Sequence, residues 1–210
     1  MKFVKRWVNT LALPILYSYR RCPYAMRARM ALKLANIEVE IREISLRDKP
    51  AHMLQLSAKG TVPVLLLPDD RVIDESIDIM LFALKNHALG ANIHETCRAL
   101  ILMNDTEFKI FLDGYKYPER YPAQTQLEYR QQGEIFLQKL EKLLSKNTYL
   151  LQATPSLADI AIFPFIRQFA AVNMGWFTQC QYPKLRAWLD NWIESDLFKS
   201  IMTKNPTYVG

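Results

Sequence analysis

All strand-type patterning in this chain lies ahead of Asn86, and the apolar residues after it recur only with helical spacing. Leu13–Tyr17 is apolar apart from Pro14 and reads as a short buried strand. A helix signal comes next over Pro23–Ala35, with Met26, Met30, Leu32 and Leu34 as apolar positions and Asn36 as a stop. Ile37–Ile44 then alternates, Ile37, Val39 and Ile41 against Glu38, Glu40 and Arg42, the pattern of a half-buried strand. Strand, helix and strand in that order close into a right-handed parallel unit.

The α/β pattern continues with a short helical stretch from Asp48-Lys49-Pro50 to Leu56 and a third strand over Gly60–Leu67. The turn Pro68-Asp69-Asp70 joins it as a hairpin to a fourth strand, Arg71–Ile73. Asp74-Glu75-Ser76 opens a helix running toward Asn86, with Ile77, Met80, Leu81 and Leu84 on its apolar face. The expected fold class is therefore α/β followed by all-α, with domains at 1–86 and 93–210. Helices are expected over Ile93–Leu112, ending near Asp113-Gly114, and over Leu127–Leu144, Ser156–Val172, Tyr182–Glu194 and Asp196–Thr203. Ser156 and Asp159 have the spacing of a capping box, which makes Asp159 a structural cap.

The chemistry concentrates at Tyr19-Arg20-Arg21-Cys22-Pro23-Tyr24-Ala25-Met26-Arg27. Proline suits the first helical turn, where its missing N–H has no partner to lose. A cysteine just ahead of it faces free backbone N–H groups and the positive end of the helix dipole, and three arginines flank it, so a lowered thiol pKa is expected. The alternative is an ordinary buried cysteine at a strand end. Cys22, Cys97 and Cys180 form no C-x-x-C pair, which argues against a zinc site and a disulfide framework and for a reducing, cytoplasmic setting. No metal site is expected, His52, His87 and His94 having no ligand spacing.

The formal charge of +6 is spread among interleaved acids, which suits a small acidic ligand better than nucleic acid. No apolar run reaches the roughly 20 residues of a membrane span. Met1–Tyr17 resembles a secretory signal only faintly, since Asn9, Thr10 and Pro14 interrupt it, and it reads as an extension leading into the first strand. Pro63 cannot donate to a sheet ladder. It is either an ordinary trans proline at a strand start or a cis proline that turns the backbone of Val62 toward a ligand. Glu75 and Ser76 are either caps or partners for an amine and a carboxylate.

Together Cys22-Pro23-Tyr24, Asp48-Lys49-Pro50, Thr61-Val62-Pro63-Val64, Glu75-Ser76 and the Ser-Leu-Ala-Asp cap resemble the cytosolic glutathione S-transferases, in particular omega-like, cysteine-using, bacterial-style members. The resemblance spans nearly the whole chain. It implies a thioredoxin-like βαβαββα domain, a helical-bundle domain and glutathione as co-substrate. It places Cys22 against the glutathione sulfur with Tyr24 beside it, Lys49 on the glycine carboxylate, Val62 and Pro63 on the cysteinyl backbone, and Glu75 and Ser76 on the γ-glutamyl end. A small hydrophobic or disulfide second substrate is expected between the halves, near Met103, Asn104, Phe108, Tyr115–Tyr117 and Trp176, although each of these aromatics also suits a core.

Ala25 stands where a dithiol redoxin carries its resolving cysteine, so monothiol transfer resolved by external glutathione is expected. Tyr17, Ser18 or Tyr19 could instead hydrogen-bond the glutathione thiol. The family also implies a homodimer. The competing reading is a non-catalytic binding or stress-regulatory protein on the same scaffold.

Overall fold

The computed structural model describes residues 12–91 and 93–209; the extension expected over the first residues lies mostly outside them. The α/β half runs β1 (Ile15–Ser18), α1 (Pro23–Leu34), β2 (Glu40–Glu43), α2 (Ala51–Leu56), β3 (Val64–Leu66), β4 (Val72–Ile73) and α3 (Ser76–Ala83). The sheet order is β2-β1-β3-β4, with β2 parallel to β1 and the β3–β4 hairpin antiparallel to it. This is the expected βαβαββα thioredoxin-like arrangement. The alternation over 37–44 begins too early, because the left-handed turn at Asn36 (φ 53°) and its approach occupy residues before Glu40, and Ile41 is exposed at the sheet edge.

A short α4 (Ala88–Ala91) leads to the helical half, with α5 (Glu95–Met103), a π-helical turn over Asn104–Phe108 and α6 (Lys109–Lys116). These three form the single helix expected over Ile93–Leu112, interrupted by the π turn and extended past Gly114. Gly114 is a packing position and not a stop: a Cβ there would lie 2.4 Å from the Tyr129 ring. After a 3-10 turn at Pro118–Arg120 come α7 (Gln126–Leu144), α8 (Leu157–Ala170), α9 (Met174–Gln179), α10 (Pro183–Glu194) and α11 (Asp196–Ile201).

The two halves share one core. α8 is buried along its whole N-terminal length, from Leu157 through Ile166, and packs on α1, α5 and α6. The Asp159 carboxylate, fully buried, accepts hydrogen bonds from Leu150 N (2.9 Å), Ser156 N (2.9 Å), Ser156 Oγ (2.5 Å) and Trp188 Nε1 (2.9 Å). It is the expected cap, and it additionally joins α8 to α10. Among the described residues no helix is long and apolar enough to cross a membrane, and no His, Cys, Asp or Glu cluster could hold a metal ion.

Candidate functional site

Cys22 is the N-cap of α1, its backbone extended at φ −75° and ψ 123°, with Pro23 at the first helical position. Its N–H donates to Tyr19 O at 3.0 Å, fixing the turn after β1. The half-buried Sγ lies 3.7 Å from the Val62 carbonyl oxygen, to which the thiol donates. The Val62–Pro63 peptide is cis. A strand end, a helix start and the approach to β3 thus meet at one sulfur.

The electrostatics differ from the sequence expectation. Burial pushes the Cys22 thiol above its ordinary value; the Ala25 and Tyr24 amides and the charges of Lys109 and Arg29 pull it down without prevailing. Of the flanking arginines, Arg27 is committed elsewhere. Arg27 turns to Ser76 and Asp105, and Arg29, held down to about 10 by its own burial, donates to the carbonyls of Arg20 and Ile201. Tyr24 lines the cleft beside Cys22, its ring 4.8 Å edge-on from Phe165, and burial raises its phenol so that it stays protonated.

Of the alternative thiol-activating groups, the Tyr17 hydroxyl is fully buried, 2.6 Å from His52 Nδ1, and accepts from Arg42 Nη1 at 2.8 Å. Ser18 is also fully buried, and only Tyr19 reaches the cleft. Lys49 is exposed at the cleft rim, where a Cβ on Gly60 would lie 3.7 Å from its Nζ; Gly60 takes a left-handed turn (φ 58°). Glu75, also exposed, pairs with Lys59 at 2.5 Å, a partner the sequence reading did not anticipate.

Ser76 opens α3 and is buried, its Oγ accepting from Arg27 Nε at 3.1 Å and Arg27 Nη2 at 2.8 Å. Arg27 also grips Asp105 with Nη1 at 2.8 Å and Nη2 at 2.6 Å. A hydroxyl has two acceptor lone pairs and one proton. With both lone pairs engaged, Ser76 can offer a ligand only its proton, and so selects an acceptor such as a carboxylate. Asp105 comes from the π turn, so the helical half holds this hydroxyl in place; Arg27 and Asp105 were both missed by sequence reasoning.

The sequence reading of the second-substrate wall requires correction. Asn104, Phe108 and Tyr115 are buried at 0%, 1% and 4% exposure. Phe108 and Tyr115 pack with Phe169, and Trp176 lies under Arg130, its ring centroid 4.5 Å from that guanidinium. None of the four lines the cleft. Of the expected Tyr115–Tyr117 loop, Lys116 and Tyr117 do line it, and the face of α6 toward the α/β half presents Lys109, Asp113 and Lys116, at i, i+4 and i+7, with Arg120 and Tyr121 beyond Tyr117. That spacing was the signal available in the sequence.

The resulting cleft, about 760 Å³, runs between the halves with Cys22 and Val62 on one wall and α6 on the other. Its size is that of a small-molecule site, typically about 300–1,000 Å³. Cys97 and Cys180 lie outside it.

Residues 16–91 match the family described as Glutathione S-transferase, N-terminal domain, and residues 128–191 match Glutathione S-transferase, C-terminal domain. The chain is 26% identical over 183 residues to glutathione S-transferase omega-1 of Sus scrofa, covering 82% of this chain and 73% of that one. It is 38% identical over 65 residues to glutaredoxin 2 of Escherichia coli, 31% of this chain and 30% of that one. A glutathione transferase of Phanerochaete chrysosporium, solved in complex with oxidized glutathione, superposes with a TM-score of 0.78 at 17% identity over 90% of this chain and 94% of that one. By its two matched domains and its fold, this chain belongs to the glutathione S-transferase superfamily.

Proposed function

We propose that the protein is an omega-like, cysteine-type glutathione-dependent thiol transferase whose single nucleophile is Cys22. The observation that carries this reading is the Cys22 sulfur at the start of α1, against the Val62 carbonyl and on one wall of an open cleft. Ala25 leaves no resolving thiol in the first turn. The names of the relatives support it: one is an omega-type transferase, another a glutaredoxin, and a structural neighbour holds oxidized glutathione.

In this mechanism the Cys22 thiolate attacks one sulfur of a disulfide, the S–S bond breaks, and the departing thiolate takes up a proton. The thiolate of glutathione then attacks the mixed disulfide and restores Cys22. A further glutathione completes the reduction, so two glutathiones are oxidised per disulfide reduced. Glutathione would lie along the α/β wall, with Lys49 at its glycine carboxylate, Val62 and Pro63 at its cysteinyl backbone, Tyr24 beside its sulfur, and Ser76 and Glu75 at its γ-glutamyl end. We assign domains 1–86 and 93–210, a homodimeric assembly and a cytoplasmic setting to the same reading.

The test is glutathione-dependent reduction of a small disulfide by wild type and by Cys22→Ser. Loss of activity in the variant with glutathione affinity retained is expected; undiminished activity overturns the assignment. The burial that raises the Cys22 thiol favours one second reading, a glutathione-binding protein without turnover. Tight glutathione binding without reduction of any disulfide would establish it.

A further inference from the structure

The cleft wall opposite Cys22 has an unusual character for a site meant to receive an apolar co-substrate. Its charges are Lys109, Asp113, Lys116 and Arg120 on the helical side, facing Arg21 and Lys49. Lys109 and Asp113 pair with each other, and the Tyr121 hydroxyl reaches the same carboxylate at 3.5 Å, so these two cancel. Lys116 is half-buried and has no ion-pair partner among the described residues. Among the described residues the ion pair of Arg120 is with its neighbour Glu119, at 3.6 Å and with both side chains mostly exposed, a contact of little energetic weight.

Lys116 and Arg120 are also placed together. Lys116 Nζ lies 4.8 Å and the Arg120 guanidinium 4.9 Å from the centroid of the same Tyr117 ring, so one aromatic collects both cations at the cleft edge. Both positive charges therefore sit at the same edge of the cleft, and its low-dielectric walls strengthen their combined field toward an anion. Lys49 is assigned to glutathione and stands on the other wall. The helical pair is left for the second substrate.

We propose that the second substrate carries an acidic group, a carboxylate or its sulfonate or phosphate equivalent, that is held at the cleft edge by Lys116 and Arg120 while its disulfide or electrophilic atom faces Cys22. The inference deepens the reading above and rests on it for the reaction, though not for the anion site. It replaces the second-substrate pocket expected from Asn104, Phe108, Tyr115 and Trp176.

The test separates binding from turnover. With S-methylglutathione at saturation, calorimetry compares suberate with octanediol, which has the same length without charge. Suberate is expected to bind about tenfold tighter, and the double substitution Lys116→Gln, Arg120→Gln to remove that advantage, as charge-assisted hydrogen bonds of this kind predict. Equal binding of the two ligands, or a variant that keeps the wild-type preference, overturns the proposal.

Turnover is then measured with three disulfides of matched length, dithiodipropionate, hydroxyethyl disulfide and cystamine, each corrected for its uncatalysed rate with glutathione. The kcat/KM order is expected to be anionic, neutral, cationic, and Lys116→Glu with Arg120→Glu to invert it, which a merely structural role would not do. A flat order overturns the proposal. Absence of turnover with all three, alongside a suberate preference abolished by the variant, instead removes the thiol-transfer reading and leaves the anion site standing.

Discussion

Arg27 commits two N–H groups to the single hydroxyl oxygen of Ser76 while two others hold Asp105. That geometry turns an ordinary helix-start serine into an obligate donor. Ser76→Ala should therefore weaken glutathione binding by about 1–3 kcal/mol, roughly ten- to a hundredfold, with fold stability measured separately by urea titration. Unchanged affinity would take Ser76 out of the glutathione site.

The same arginine carries a larger structural consequence. It is 1% exposed, packs its guanidinium against both rings of the Tyr24–Phe165 pair at 4.9 and 5.2 Å, and ties α1 to the π turn. Arg27→Ala leaves Asp105 with only the Asn104 amide (Nδ2 to Oδ1, 2.8 Å) and no counter-charge, and opens a void, so a loss of about 3–5 kcal/mol is expected in chemical denaturation. A double-mutant cycle with Asp105→Ala should show coupling well above the roughly 0.5 kcal/mol of independent sites.

Lys49 stands on the rim, exposed, with no built enclosure. Lys49→Ala is accordingly expected to cost a few-fold in glutathione Kd, an effect that shrinks as salt rises. Titration at low and high ionic strength checks this; an effect indifferent to salt would point to packing over Gly60 instead of charge.

Burial keeps the Cys22 thiol protonated past the ordinary range, so its alkylation by iodoacetamide should climb with pH through about 8.5 without levelling off there. The sign for stability is opposite. The folded thiol resists ionisation that the unfolded chain permits, so the contribution of Cys22 to stability is intact below that range and declines above it. Lys109→Gln removes a cation that lowers the thiol and leaves Asp113 uncompensated. Alkylation near neutral pH should then slow by roughly threefold; an unchanged rate would show that α6 does not reach the sulfur.

Asp159→Ala strands the N–H groups of Leu150 and Trp188 as well as the start of α8. A destabilisation of about 3–5 kcal/mol is expected, with a lowered thermal midpoint, because each buried unsatisfied donor costs about 1–3 kcal/mol. Asp159→Asn, which keeps one acceptor oxygen, should recover part of it.

How much the sequence disclosed depends on how local each signal is. Periodicity exposed β1, α1, the β3–β4 hairpin and α7, and the Ser156–Asp159 spacing exposed the α8 cap, because those features depend on residues within one or two turns of each other. The interior of the site depends on contacts across the chain and was opaque. The Arg27–Asp105 bond spans 78 residues, and nothing local tells that Arg27 points away from Cys22. The thiol's response to burial was misjudged for the same reason: charge can be counted along a sequence, whereas the depth of a sulfur cannot. Gly114 misled in the other direction, a local stop signal overruled by the ring of Tyr129.

The far end of the chain returns to the α/β half. Tyr208 N donates to Glu43 O at 2.7 Å, Thr207 bridges Glu43, and Arg29, inside α1, donates to Ile201 O at 3.0 Å. During synthesis the first half therefore emerges long before these partners exist. A nascent chain halted ahead of Ile201 holds a buried guanidinium lacking one of its acceptors and an open β2 edge. The helix capped by Cys22 reaches its final surroundings only once residues 201–208 have left the ribosome.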